Sequence, residues 1–454
     1  MLTTAMNVPN ETVIGALTPL VDAELVLQAC RGQLTRVKED VRSSWRSARL
    51  IEALYHPKRY VRVVYALMDD PATPASRLWP EGQLVYFHAP VRRPMSRRGT
   101  VLELDGQSVE AYAFPQDRRL RGLRTFARRD RCAATWQKWS ACGGNGLNLN
   151  PGSLQRLLVR YVPEQKWIVR LRGEWGSEDA GDVEIRRIAV RACRPSLCTM
   201  LTRRHSALES QRGGSTGFRV PKVVGAEVEQ GLLAVEWIRG ETLLETLRRE
   251  NPSDVMKEVA QRLATWHSTK VNGLPTLTPA HQLTRARHAA EDLAAAYPSQ
   301  TGNLQLAVER LSTLLQGLDD SPRSTLHNDF HWNQLSIKKD RFVILDLDRM
   351  AEGDPTIDVA TLASQLQMLG VREEYGVRPA KAEIWRSAWL EAWASVHGQP
   401  VDLLGLNLYS AIARLDLARG MLRHLRPGWQ ALVSDSLRFV ESDLRQAESG
   451  GRRS

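Results

Sequence analysis

Apolar positions recur at helical spacing over residues 18–54, through Leu25, Ala29, Leu34 and Val37 and on to Trp45, Ala48 and Ile51, which predicts one or two opening helices. The pattern then changes. Residues 83–88 and 100–114 are rich in Val, Leu, Tyr and Phe with partial alternation, and Asp105-Gly106 is a hairpin-type turn between two β-prone runs. This first part of the chain therefore reads as mixed α/β. The arginines between Arg118 and Arg131 read as a solvated helix face and its flanks.

A cluster of Gly, Asn and Pro over residues 142–153 predicts a domain boundary, since a packed element would not tolerate it. Beyond it, residues 155–173 read as two strands around a turn at Pro163-Glu164-Gln165-Lys166, and residues 184–192 as a third strand. A helix over 195–211 and two more strands over 219–238 complete this region. From Gly240 the pattern is helical almost throughout, broken near 325–350 by loop, strand, turn and strand. The expected division is a cap at 1–150, a strand-rich lobe at 151–238 and a helical lobe at 239–454.

Composition narrows the class. The chain has 454 residues, 43% hydrophobic and 25% charged, as in globular proteins, and no apolar run approaches the roughly 18–20 residues of a membrane span. With no basic segment leading into a long apolar one at the start, a cytoplasmic protein without membrane attachment is expected. Five cysteines, Cys30, Cys132, Cys142, Cys193 and Cys198, form no CxxC pair and suit reduced thiols. Cys193 and Cys198 lack a second pair to complete a zinc set. The formal charge of +11 lies mostly in the first 150 residues, but Arg far outnumbers Lys and acidic residues interrupt every Arg cluster. A solvated basic surface is therefore preferred to a nucleic-acid site, which stays as a third alternative. Nothing in the pattern sets the oligomeric state.

The densest polar cluster is His327, Asn328, Asp329, His331, Asn333 and Gln334, followed after one strand and turn by Asp346 and Asp348. Two carboxylate-bearing loops thus flank one hairpin. Phosphoryl transfer needs such an arrangement, with one carboxylate beside the acceptor hydroxyl and oxygen ligands for Mg²⁺ on the phosphates. Asp329 is the candidate for the first role and Asp346 for the second. His327 and His331 read as loop-shaping hydrogen bonders, Asp358 as a helix-capping tie, and Trp385, Trp389 and Trp393 as a core stripe.

These residues resemble the aminoglycoside phosphotransferase and choline kinase family, in particular its capped, sugar-kinase-like (maltokinase-like) members, over most of 151–454. His327, Asp329, His331 and Gln334 match the family's catalytic loop, and Asp346 with Asp348 its short acidic motif. Residues 232–243, 263–268 and 353–362 follow in the family's order, and residues 114–123 and 423–429 look like features of the capped subgroup. The resemblance implies an α+β, bilobal protein-kinase-like fold, with a strand-rich N-lobe, a helical C-lobe and an additional N-terminal α/β cap. It also implies ATP and Mg²⁺ as cofactors and a small-molecule hydroxyl, on a sugar or amino sugar, as acceptor.

In that scheme Asp329 handles the acceptor proton, while Asp346, Asp348 and Gln334 hold the metal. Glu236 and Ile238 flank adenine, and Arg191, paired with Glu209, meets the phosphates. Two departures stand out: Arg191 replaces the expected Lys, and Gln334 the expected Asn. They motivate a second reading as a catalytically weakened pseudokinase acting as a nucleotide-binding or partner-binding regulatory module. Gly173, Gly176 and Gly181 suggest either a loop over phosphates or an exposed turn.

Overall fold

In the computed structural model the described residues are 17–57, 59–70, 84–89, 99–141, 148–176, 183–210, 217–318, 323–338, 341–426 and 428–450. The chain divides into two units, the first comprising 1–203, 222–237 and 423–425, the second 204–221, 238–422 and 426–454.

The described part of the first unit opens with the short helix Leu17–Val21 and the helix Ala23–Gln33, whose N-terminus is capped by the Asp22 carboxylate. The opening helices end at Ser44, and Ala48 and Ile51, expected on a helix, lie on the strand Ser47–His56. Their three-residue spacing suited a helix face, but pairing with the neighbouring strand Tyr60–Met68 outweighs it. That neighbour is a nearly continuous apolar run, buried on both faces. The Tyr65 hydroxyl donates to the Leu20 carbonyl on the helical side, while Val64, Ala66 and Met68 enter the core on the other.

Five antiparallel strands form this sheet, in the order Ser47–His56, Tyr60–Met68, Leu84–Ala89, Gln107–Ala113, Thr100–Leu104. Asp105 and Gly106 both have positive φ, 49° and 73°, as a two-residue hairpin turn of matching twist requires.

A second antiparallel sheet runs Val223–Glu227, Leu232–Glu236, Val183–Ala192, Lys166–Gly176, Asn148–Leu149, with Gln155–Val162 also paired to Lys166–Gly176. Along Lys166–Gly176 burial alternates strictly, so Trp167, Val169, Leu171 and Trp175 all point inward. They share one core with Tyr86 and Tyr112 of the first sheet and with Trp136 of the helix Arg129–Ala141. Gly173 and Gly176 belong to this strand, and a Cβ on Gly173 would lie 2.4 Å from Leu149 Cδ1. Packing therefore accounts for Gly173, while Gly181 lies outside the described residues.

Arg124, Arg129 and Arg131 lie exposed on the helices Leu123–Ala127 and Arg129–Ala141, as expected, and the exposed flank before them, Arg118 and Arg119, also forms ion pairs. Both reach Glu164, a 1% exposed carboxylate in the turn after Val162, at 3.5 and 3.2 Å; Arg62 meets it at 3.0 Å and the Tyr86 hydroxyl at 3.4 Å. Buried Asp117 completes the cluster by accepting from the Tyr161 hydroxyl and the Glu164 amide. In the same unit, His424 bonds Glu52 at 2.8 Å and Arg423 bonds His56 at 3.1 Å, so part of the motif at 423–429 is tied to the strand Ser47–His56. Pro427 of that motif, Cys142 and residues 142–147 of the expected boundary lie outside the described residues.

The second unit is built on the helices Pro252–Ser268, Pro279–Ala296, Thr301–Leu314, Thr356–Val371, Pro379–His397, Leu403–Arg423 and Trp429–Gly450. Three of these begin with proline, whose missing N–H costs nothing at a first helical position. Trp385, Trp389 and Trp393 are buried core residues, and Trp389 Nε1 donates to the Val359 carbonyl at 3.0 Å. Among the described residues no helix is long and apolar enough to cross a membrane, and Cys30, Cys132, Cys193 and Cys198 are buried thiols outside any disulfide.

Glu164→Gln keeps the shape of the side chain and removes its charge, leaving buried Arg62 uncompensated. Denaturant unfolding should show a loss of about 3 kcal/mol; a loss within about 0.5 kcal/mol, the usual range for surface changes, would deny the cluster a stabilising role.

Candidate active site

The short strand Ser324–Leu326, paired antiparallel with Ala351–Gly353, delivers the chain to His327. His327 is wholly buried, and its Nε2 donates to the Leu345 carbonyl at 2.8 Å, so the ring spans from one loop to the other. The His327 and Asn328 amides both donate to the buried carboxylate of Asp358, at 2.8 and 2.7 Å, and His267 Nε2 donates to the same group at 3.1 Å. Asp358 sits in the first turn of the helix Thr356–Val371, and it ties the loop as expected.

Held by its amide, Asn328 adopts a left-handed conformation (φ 59°), which asparagine accepts more readily than most residues. Its side chain then joins two further segments, accepting from Arg285 Nη1 at 3.3 Å and donating to the Arg349 carbonyl at 3.1 Å.

Asp329 comes next, half-buried, with Oδ1 3.8 Å from Arg349 Nη1. His331 accepts the Asn333 amide on Nδ1 at 3.2 Å, capping the single turn Trp332–Gln334. Loss of hydration lowers the His331 pKa against the opposing pull of Asp329, which keeps the ring neutral and Nδ1 able to accept. Both histidines shape the loop.

The Gln334 carbonyl accepts from the Leu345 amide at 2.8 Å, closing the hairpin Leu335–Lys338 and Arg341–Ile344. Asp346 follows in a left-handed conformation (φ 53°), a backbone state that a non-glycine residue holds only when its surroundings impose it. Here the surroundings include Arg204, whose buried guanidinium donates to the carbonyls of Leu347, Asp348 and Met350 at 2.6, 2.8 and 2.9 Å. Burial lowers the Arg204 pKa, and the nearby Asp348 opposes that shift.

A second carboxylate organises the charges next to Asp329. Asp416, on the helix Leu403–Arg423, accepts from Arg285 Nη2 at 2.6 Å and lies 3.5 Å from Arg349 and 3.8 Å from Arg419. Burial alone would raise its pKa, but Arg285 and then Arg349 outweigh burial and hold it well below the carboxylate range. Arg349 stays charged despite its own loss of hydration, because Asp329 and Asp416 both face it.

Asp329, Gln334, Asp346 and Asp348 thus lie on one continuous loop–hairpin–loop of the second unit. Glu209, half-buried near the end of the helix Pro195–Ser210, and Ile238, half-buried just past a strand end, belong to the same unit. Arg191 and Glu236 belong to the first. Arg191 is half-buried on Val183–Ala192, opposite Ile168 and Leu233, and Glu236 ends its strand with Oε1 accepting the Lys222 amide at 3.0 Å. Among the described residues no group of three His, Cys, Asp or Glu side chains is placed to hold a metal ion.

Sequence reasoning missed Arg204, Arg285, Arg349 and Asp416. The available signal was a lone acid, Asp416, in a helix of mostly apolar residues, and an arginine directly after the Asp346–Asp348 pair.

The folded pKa of Asp416 lies below its unfolded value, so its contribution to stability is complete above the unfolded pKa and is lost as pH falls toward the folded one. Asp416→Asn should flatten the decline of unfolding free energy between about pH 5 and about pH 2. An unchanged slope in acid titrations followed by circular dichroism would remove Asp416 as the responsible group.

The model of the phosphotransferase enzyme family matches residues 181–401. No curated protein matches the chain in sequence. Among solved structures, choline kinase from Cryptosporidium parvum Iowa II is 12% identical, with 71% of this chain and 97% of that one covered and a TM-score of 0.50. Macrolide 2'-phosphotransferase from Brachybacterium faecium is 15% identical over 68% and 97%, with a TM-score of 0.41. A thermostable mutant of an aminoglycoside phosphotransferase, in ternary complex with AMP-PNP and hygromycin B, is 15% identical over 65% and 95%, with a TM-score of 0.43. The fold is protein-kinase-like, strand-rich first and helical after, and residues 181–401, just under half of the chain, are similar to the phosphotransferase enzyme family.

Proposed function

We propose that this chain is an ATP-dependent kinase that transfers the γ-phosphate to a hydroxyl of a small molecule, a sugar, amino sugar or related metabolite. The observation that carries the reading is the placement of Asp329: it directly follows the two amides fixed by Asp358 and remains partly open to solvent. A carboxylate so held can accept or orient the acceptor's hydroxyl proton without reorganising the loop.

Asp346, Asp348 and Gln334 offer two carboxylates and an amide oxygen, the hard donor set that Mg²⁺ takes. The hydrogen bond from Leu345 to Gln334 places positions 334 and 346 on adjacent stretches of backbone, which supports a common role. Mg²⁺ there would neutralise charge on the phosphate oxygens. Arg191, with Glu209 as its acidic partner, is assigned to the phosphates, where a guanidinium fork suits paired oxygens. The segment Glu236 to Ile238 is assigned to adenine. In this scheme residues 1–150 are a cap, 151–238 the small lobe and 239–454 the large lobe.

The acceptor reading draws on Arg285, Arg349 and Arg419, which offset Asp416 and Asp329 and keep this surface from being strongly acidic. A polycationic acceptor would find little attraction there. The second reading, a weakened pseudokinase that binds a nucleotide or a partner, is favoured by Arg191 and Gln334 at positions where the family carries Lys and Asn.

Asp329→Asn should lower ADP release by about 100-fold or more while leaving the circular dichroism spectrum intact; a variant with near-normal turnover would sink the role given to Asp329. Asp346→Ala should remove the Mg²⁺ dependence of ATP binding in calorimetry. Wild-type protein that binds ATP equally well with and without Mg²⁺, and releases no ADP, would favour the regulatory reading.

A further inference from the structure

Away from the catalytic loop, the second unit carries an open cleft of about 720 Å³ lined by four cations, Arg248, Arg249, Arg378 and Lys381, against one carboxylate, Glu250. All five side chains belong to exposed residues. Two of the cations are already positioned: Arg248 donates to the Tyr375 carbonyl, and Arg249 pairs with Glu241.

The helices beginning at the cleft differ in how their first turns are satisfied. Pro252–Ser268 is capped by Asn251, which accepts the Ser253 amide at 3.1 Å, and it carries Asp254 in its first turn. The 19-residue helix Pro379–His397 has Arg378 at its cap position, no side-chain cap bond and no acid in its first turn. Lys381 adds a second cation there, its ammonium 5.3 Å from the Trp385 ring centre. A helix start normally attracts negative charge, so two cations at an uncapped start concentrate positive potential where amide N–H groups also point. Glu241 offsets Arg249 and Glu250 offsets part of the remaining charge, so the cleft keeps a net positive charge that favours an anion.

We propose that this cleft is a binding site for a small phosphorylated metabolite, separate from the nucleotide chemistry of Asp329 and Asp346. Its volume is in the usual range for metabolite sites, and three guanidinium groups with one ammonium match a multiply charged phosphate better than a single carboxylate. Ile384, 60% exposed, supplies apolar surface for the carbon skeleton, and wholly buried Trp385 backs the lining from the core.

Inorganic pyrophosphate titrated calorimetrically into the full chain tests the site, using wild type, Asp346→Ala and the double variant Arg378→Glu with Lys381→Glu. Wild type and Asp346→Ala should bind alike at one site, and the double variant should bind at least about ten-fold more weakly, having lost two charge-assisted contacts. ATP binding by the double variant should not change, which separates this site from the proposed kinase site. The neutral pair Arg378→Gln with Lys381→Gln serves as a milder second variant if charge reversal harms folding. Equal pyrophosphate affinity in the charge variants, no saturation in wild type, or loss of binding in Asp346→Ala alone would each overturn the proposal.

Discussion

A wholly buried carboxylate is costly unless its oxygens are met by donors, and Asp358 meets them with the amides of His327 and Asn328 and the Nε2–H of His267. These bonds join the start of one helix, the end of another and the loop that carries Asp329. The left-handed turn at Asn328 follows from them, and from that turn the asparagine side chain reaches Arg285 and the Arg349 backbone. His327 adds the link to Leu345. The position of Asp329 is thus set by groups that never touch a substrate, and the loop is shaped before anything binds.

Arginine chemistry gives the two units a common logic. In the first, Arg62, Arg118 and Arg119 converge on Glu164; in the second, Arg285, Arg349 and Arg419 converge on Asp416, and buried Arg414 pairs with Asp443 at 2.7 Å. The guanidinium tolerates such sites because it is weakly hydrated and offers several N–H groups in one plane. Arg62 and Arg414 are buried by these pairings, while Arg118, Arg119 and Arg349 remain partly in water.

Features that depend on neighbouring residues were readable from the sequence. The Asp105-Gly106 hairpin, the turn at 163–165, the strands flanking Gln334 and Asp346, and the tryptophan stripe all rest on local propensity or periodicity. Features that depend on distant partners were not. Ala48 and Ile51 fit a helix face until Tyr60–Met68 supplies a ladder, and nothing near Arg118 and Arg119 signals their ion pairs with Glu164, 45 or more residues away. Asp416 and Arg285 are separated by 131 residues, and neither position announces the other. Around Asp329 the cluster of polar residues was legible, whereas the arginines that set its electrostatics were not.

The tie of His424 to Glu52 has a consequence for how the molecule is made. The first unit is assembled from three stretches of chain, and the last, 423–425, leaves the ribosome only after nearly all of the helical unit has been synthesised. The N-terminal sheet must wait through most of translation for its final contacts, with Glu52 and His56 lacking His424 and Arg423 meanwhile. Cutting the gene near residue 238 would yield a fragment that can never complete itself, so the two units are joined in biogenesis as well as in sequence.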